Sequence, residues 1–374
     1  MPSLDELATP TPIVDLDRLE RNLDRMAAYA RRHGLALRPH VKTHKSPVVA
    51  AQQLGRGAVG LTCATLREAE EMATVSRDLL LAYAPIGRDR LERAVALPGE
   101  VTLTVAVDSV DAITGLAAAA QGAGRTVRVY IELDLGMRRV GVPTIDGAVA
   151  LAREAADTAG ITYAGICFYP GQVRGPMADD DPALLALYQQ IERVATALDR
   201  EGLAPDAVSG GSTPTAWRTH EVPRLTEFRP GTYVYNDRTS VAGGACTPDD
   251  CALTVLATVI STTVPGQAVI DAGSKALGRE PVRGAHAEGF GSVLGHPDVL
   301  VTRMWEEHGV LDFTSHAWKP KVGDRVRIVP NHVCIVTHLF DSVAGVRGSN
   351  VELTWPVAAR GRERRVSASG AVER

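Results

Sequence analysis

Two lysines and two histidines fall within one short passage, Arg38-Pro39-His40-Val41-Lys42-Thr43-His44-Lys45. The preceding Leu35-Ala36-Leu37 reads as a buried strand, so Lys42 emerges at or just past its carboxyl end. In a barrel of parallel strands that end is the catalytic face. A lysine held there among apolar walls loses part of its charge to desolvation and can form a Schiff base with a carbonyl cofactor or substrate. The same octet also fits a basic, solvated loop, because runs of charge are usually surface.

Four other clusters could contribute chemistry. Ser209-Gly210-Gly211-Ser212-Thr213-Pro214 is a glycine-rich turn running into hydroxyl residues, which offers N–H and O–H donors to a phosphate or serves simply as a turn. Phe228-Arg229-Pro230-Gly231-Thr232-Tyr233 follows shortly after and could close the same pocket from the next loop, an arrangement that barrels favour. Glu132-Leu133-Asp134-Leu135-Gly136-Met137-Arg138-Arg139 would set a cation over the barrel mouth, there to meet a phenolate or carboxylate, unless it is a surface salt-bridge loop. In Pro330-Asn331-His332-Val333-Cys334, an extended strand would turn His332 and Cys334 to one side. They could then hold a metal through imidazole nitrogen and thiolate, or be a buried cysteine beside an unrelated histidine.

These residues need a scaffold, and the first two-thirds of the chain supplies the pattern of one. Short apolar runs alternate with helical periodicity: Ile13-Val14-Asp15 before Leu19 to Ala30, Ala58 to Thr62 before Leu66 to Met72, and Val101 to Val107 before Ser109 to Ala120. Leu79 to Ala82, Val127 to Leu133, Ile161 to Phe168, Ala207-Val208 and Leu225 to Phe228 extend the series. With Leu35 to Leu37 they give enough strands for a (β/α)8 TIM-like barrel. An open doubly wound sheet is the alternative, but no Gly-x-Gly-x-x-Gly follows the first strand. From about Asn236 the helical period fades, and Thr254 to Thr263, Ala268 to Ile270, Arg325 to Val329 and Val333 to Leu339 read as β-branched strands of a second, all-β domain. The expected division is a barrel over 11–240, with 1–10 and 241–374 forming the β-rich domain.

Composition narrows the function classes. The chain has 374 residues, 45% hydrophobic and 22% charged, as in a soluble globular protein. A net charge of −4 without a basic stripe argues against nucleic acid as a partner. No run approaches the ~20 apolar residues of a membrane span, and the start lacks a basic segment followed by an apolar core, so a cytoplasmic protein is expected. The five cysteines are scattered, which suggests no disulfide framework and leaves one free to be a ligand. The basic stretch Arg360 to Arg365 reads as a solvated face or a frayed end.

Taken together, His40-Val-Lys-Thr-His-Lys45, Asp134-x-Gly-x-x-Arg139-x-Gly, Gly211-Ser-Thr-Pro214, Arg229-Pro-Gly-Thr-Tyr233, Asp271-Ala-Gly-Ser-Lys275, Glu307-His-Gly309 and Pro330-Asn-His-Val-Cys334 occur in the order of one family. The chain resembles the fold-type III pyridoxal-phosphate enzymes of the D-threonine aldolase and metal-dependent D-serine dehydratase branch, relatives of alanine racemase. The resemblance implies the alanine racemase type of barrel with a C-terminal β domain that the first few residues join. It implies that Lys42 carries pyridoxal 5'-phosphate, that Arg139 and Tyr169 lie beside the cofactor ring, and that Ser212, Thr213, Gly231 and Thr232 cradle its phosphate. His332 and Cys334 would hold a divalent metal, with the thiolate favouring zinc over manganese or magnesium.

Dehydratases of this branch show His-x-Cys at the metal where aldolases show His-x-Asp, so Cys334 points to dehydration. His338, where an asparagine is expected, and Gln172 depart from the family pattern. The implied activity is a lyase acting on a small β-hydroxy D-amino acid: a D-serine or 3-hydroxyaspartate type of dehydratase, or an aldolase of D-threonine or 3-hydroxyaspartate type. An amino-acid racemase and a non-catalytic cofactor carrier are the further alternatives, although carriers lack the second domain. A head-to-tail homodimer, with the β domain of one subunit near the barrel mouth of the other, is also implied.

Overall fold

The computed structural model describes residues 3–173, 181–283 and 288–361. The chain's first strand, β1 (Thr11–Asp15), enters the second sheet rather than opening the barrel. It pairs antiparallel with β10 (Leu253–Ser261) and parallel with β16 (Ser342–Arg347). This corrects the reading of Ile13-Val14-Asp15 as a first barrel strand. A short run buried on both faces looks the same in either sheet, so the periodicity could not tell them apart.

The barrel therefore starts with the helix Leu16–Arg32 and eight parallel strands follow: β2 (Ala36–Leu37), β3 (Leu61–Cys63), β4 (Asp78–Leu81), β5 (Thr102–Val107), β6 (Val127–Leu133), β7 (Ile161–Phe168), β8 (Ala207–Gly210) and β9 (Glu227–Phe228). Their order is β2-β9-β8-β7-β6-β5-β4-β3. The ring closes between β2 and β3, where Val59 N–H donates to Leu37 O at 2.9 Å, Thr62 N–H donates to Pro39 O at 2.8 Å, and His40 bridges Thr62. The passage carrying Lys42 thus leaves the barrel at its closing seam.

Local chemistry sets the alternation. Ser46, Thr65, Ser109 and Thr144 cap four of the barrel's helices by accepting from Val48, Glu68, Ala112 and Gly147 N–H. Inside the barrel Arg38 bonds Glu227 and, through both terminal nitrogens, Asp78, while Ser209 Oγ donates to Glu227 at 2.6 Å. These partners satisfy the buried charges that a barrel floor could not otherwise hold.

The second sheet runs β11-β14-β13-β12-β15-β10-β1-β16-β17, adding β11 (Gln267–Ile270), β12 (Gly291–Val293), β13 (His296–Met304), β14 (Gly309–Asp312), β15 (Arg325–Pro330) and β17 (Asn350–Pro356). One expected strand is absent from it. Val333–Leu339 is a helix, and His332 stands at its N-cap. Its β-branched residues suggested a strand, but Val333 and Val336 are fully buried one turn apart, and Thr337 Oγ1 donates to Val333 O at 3.0 Å. Tertiary burial at helical spacing has overridden intrinsic propensity. Arg360 pairs with Asp341, and the rest of the basic stretch lies outside the described residues. No helix among the described residues is long and apolar enough to cross a membrane.

Candidate active site

Lys42 sits in a single 3-10 turn, Val41–Thr43, directly after the closing seam. The turn is tied by His44 N–H and Lys45 N–H, which both donate to Val41 O at 3.1 and 2.8 Å. At its start His40 Nδ1 accepts from Lys42 N–H at 3.4 Å. Burial first, then the charges of Lys42 and Arg229, hold the His40 imidazole well below its usual pKa, so it is a neutral acceptor. Lys45, three residues on, is buried and ion-paired with the fully buried Glu68, whose other oxygen accepts from Ala64 N–H at 2.5 Å. Lys275 pairs with Glu307 at 2.7 Å on the surface. Of these three lysines, Lys42 is the one whose amine faces the cavity.

That cavity, of about 270 Å³, is lined by the seven barrel residues that the resemblance assigns to the cofactor: Lys42, Arg139, Tyr169, Ser212, Thr213, Gly231 and Thr232. Tyr169 lies between two cations, with Lys42 Nζ 5.5 Å and the Arg139 guanidinium carbon 5.0 Å from its ring centroid. Arg139 is half exposed and only 3.9 Å from Glu132, a loose pairing that leaves it able to meet a ligand. Burial raises the Glu132 carboxyl pKa, and Arg229 and Arg139 pull it back.

Ser212, Thr213, Gly231 and Thr232 form one wall. Thr213 Oγ1 accepts from Gly231 N–H at 3.3 Å and Tyr233 N–H at 3.1 Å, which locks the two loops together. A Cβ on Gly231 would come within 3.2 Å of His40 and Thr43, so glycine lets the wall approach the Lys42 turn. Sequence reasoning gave no separate role to Arg229. Its Nη2 donates to Phe168 O at 2.7 Å, but its buried Nε has no partner. A buried donor without an acceptor is costly. The signal was available: an arginine directly after a strand end, inside a loop already read as part of the pocket. A ring-bearing cofactor with a phosphate fits this cavity, since it would supply the acceptor for Arg229 and an anion for the hydroxyl and glycine wall.

His332 and Cys334 reach the same place from the second sheet. Cys334 Sγ is 3.3 Å from Thr43 Oγ1 and 3.9 Å from Thr232 Oγ1, so it stands between the Lys42 turn and the cradle. The pair therefore meets this chain's own barrel mouth, though through a helix start rather than the extended strand expected. Burial alone would raise the Cys334 thiol, but His332 beside it brings it down to about 7. Burial would likewise lower His332, and Cys334 with Asp237 lifts it to about 10. A thiolate and an imidazole side by side are suitable donors for a divalent metal. Among the described residues no group of three or more His, Cys, Asp or Glu side chains is arranged to hold a metal ion together.

Two family models cover the chain in succession: the alanine racemase N-terminal domain over residues 14–239 and a serine dehydratase domain over residues 252–346. The chain belongs to the alanine racemase-like family. A 3-hydroxy-D-aspartate aldolase of Paracoccus denitrificans is 35% identical, over 97% of this chain and 95% of that one. The D-threonine aldolase structure from Filomicrobium marinum superposes with a TM-score of 0.88 at 33% identity, covering 96% and 97% of the two chains. The D-threo-3-hydroxyaspartate dehydratase from Delftia sp. gives 0.86 at 33% identity, over 97% and 100%, and a mutant of that dehydratase has been solved in a metal-free form. Both kinds of relative share the architecture seen here, so within the alanine racemase-like family the barrel and second sheet leave the reaction to the side chains at the mouth.

Proposed function

We propose that this chain is a metal-assisted dehydratase of a β-hydroxy D-amino acid, of the D-serine or 3-hydroxyaspartate type, releasing ammonia and an oxo acid. Its relatives make it a pyridoxal-phosphate-dependent lyase, either a dehydratase or an aldolase. The observation that favours dehydration is the position of Cys334, whose sulfur lies beside the Lys42 turn and which gives the pair the His-x-Cys form.

In this reading Lys42 would hold the cofactor, and its Nζ is the base placed to take the substrate's α-proton. Tyr169 and Arg139 hold the ring side of the cavity, and the Ser212, Thr213, Gly231 and Thr232 wall anchors the phosphate. Pyridoxal phosphate bound there supplies an electron sink for the α-carbon. A divalent cation on His332 and Cys334, zinc by ligand softness, would supply Lewis acidity toward the β-hydroxyl. Loss of the α-proton and the hydroxyl gives an enamine, which water converts to the oxo acid and ammonia. If a base takes the hydroxyl proton instead, the Cα–Cβ bond breaks and the products are glycine and an aldehyde. The 35% identical aldolase supports that second reading.

Product identity separates them. Incubation with D-serine, D-threonine and D-threo-3-hydroxyaspartate is expected to yield ammonia with little glycine. Glycine and aldehyde in equal amounts, without ammonia, would establish the aldolase instead.

A further inference from the structure

We propose that Asp237 is the positioning residue that prepares His332 to take the metal, and that it fixes the metal pair to the frame of the cofactor cradle. This rests on the reading of His332 and Cys334 as metal donors. Asp237 follows the cradle residue Thr232 by one short turn and is fully buried. Its Oδ1 accepts from Ser240 N–H at 2.7 Å and Ser240 Oγ–H at 2.8 Å, capping the helix Arg238–Ala242. Its Oδ2 faces His332 Nδ1 at 3.1 Å and accepts from Val333 N–H, the first of the helix Val333–Leu339, at 3.2 Å. Four donors saturate a carboxylate's accepting positions.

The consequence is a defined tautomer. An ionised Asp237 can only accept, so Nδ1 keeps its ring proton and Nε2 is the nitrogen left to face the metal, its own proton displaced when the ion binds. Carboxylates behind ligating histidines act in this way, setting both ring orientation and basicity. The neighbours of Asp237 strengthen the hold. Arg238 Nη1 donates to Asn331 Oδ1 at 2.6 Å, and Thr239 donates to Asn331 O from Oγ1 at 2.8 Å and from N–H at 3.3 Å. Residues 237–239 of the barrel's last helix thus grip residues 331–333, and the metal pair cannot shift without the cradle.

Asp237→Asn tests the assignment. If the amide group turns toward Nδ1, it donates there, the ring proton moves to Nε2, and the lone pair for the metal is lost. If it turns the other way, Ser240 N–H loses its acceptor. Zn2+ is titrated by calorimetry into the chelator-stripped, cofactor-loaded full chain. D237N is expected to weaken Zn2+ binding by about ten- to a hundredfold while retaining the bound cofactor's visible absorbance. Ser240→Ala, which leaves the carboxylate on His332, is expected to keep wild-type zinc affinity. Unchanged zinc affinity in D237N, or equal weakening in S240A, would overturn the role. A wild-type chain that takes up no Zn2+ would instead remove the metal reading itself, and this inference with it.

Discussion

Lys42 and Lys45 are separated by one turn and meet opposite environments. Lys45 is buried against Glu68, whereas the Lys42 amine faces the cavity over Tyr169. Removing the Glu68 charge would leave a buried lysine uncompensated, a loss of about 3–5 kcal/mol, so Lys45 is committed to holding the turn. Borohydride reduction of the cofactor-loaded protein, followed by peptide mapping, is expected to place the label on Lys42. A label on Lys45 would reverse the assignment. At this scale the sequence was informative about which residues gather at the mouth, as for Lys42, Arg139 and Cys334. It was silent on Glu68 and Asp237 and placed Arg229 in a pocket loop without a role of its own, since these are ordinary charged residues until folding buries them. What marks Arg229 is an unpaired Nε, and what marks Asp237 is a set of donors 3 and about 95 residues away. Neither property exists in a linear pattern.

The turn Val41–Thr43 and the helix behind it form the element on which the site depends. His44 is fully buried there, with Nδ1 accepting from Ser46 N–H at 3.1 Å and Nε2 3.2 Å from Gln53 Oε1. Burial lowers its pKa to about 3, partly offset by Gln53 and Ser46. Because the folded value lies below the ordinary value of about 6.5, the unfolded chain binds the proton first as pH falls. Stability is therefore unaffected above about pH 6.5 and declines between there and about pH 3, by up to ~1.4 kcal/mol per pH unit for this group. His40, lowered in the same direction, adds to the slope. His44→Asn should flatten the acid side of a stability–pH curve measured by urea melts at several pH values, and an unchanged slope would show that His44 is not the titrating group. The other decisive element, Val333–Leu339, was misread from its β-branched residues. Even so, the strand reading and the helix bring His332 and Cys334 to one place, because a helix N-cap and the second residue after it can converge on a common neighbour. The proximity of the two side chains was legible where the secondary structure was not.

On the scale of the whole molecule, the first strand belongs to the second sheet and the helix directly after it to the barrel. β1 lies inside the second sheet, between β10 and β16, and leads straight into the barrel's first helix. The barrel order was visible in alternating apolar runs. The strands β12 to β14 and β16 to β17 carry no regular alternation of buried and exposed residues, so they gave little periodic signal. This arrangement explains how the mouth can be completed within one chain, since the β domain delivers His332 and Cys334 to Thr43 and Thr232. A homodimer remains our proposal for the assembly, with the partner adding to this mouth rather than supplying its metal donors. The same architecture predicts how the protein responds to metal removal. On the proposed reading only His332 and Cys334 would hold the ion, and the elements that carry them are already fixed by Asp237, Thr337 and the buried Val333 and Val336. A closed structural site contributes folding energy outright, but an open site between two finished domains does not. Chelation should therefore abolish ammonia release from D-serine while leaving the thermal melt and the bound cofactor's absorbance essentially unchanged, and zinc should restore turnover. A large drop in melting temperature on chelation would make the ion structural, and full lyase activity in chelator would remove it from the reaction.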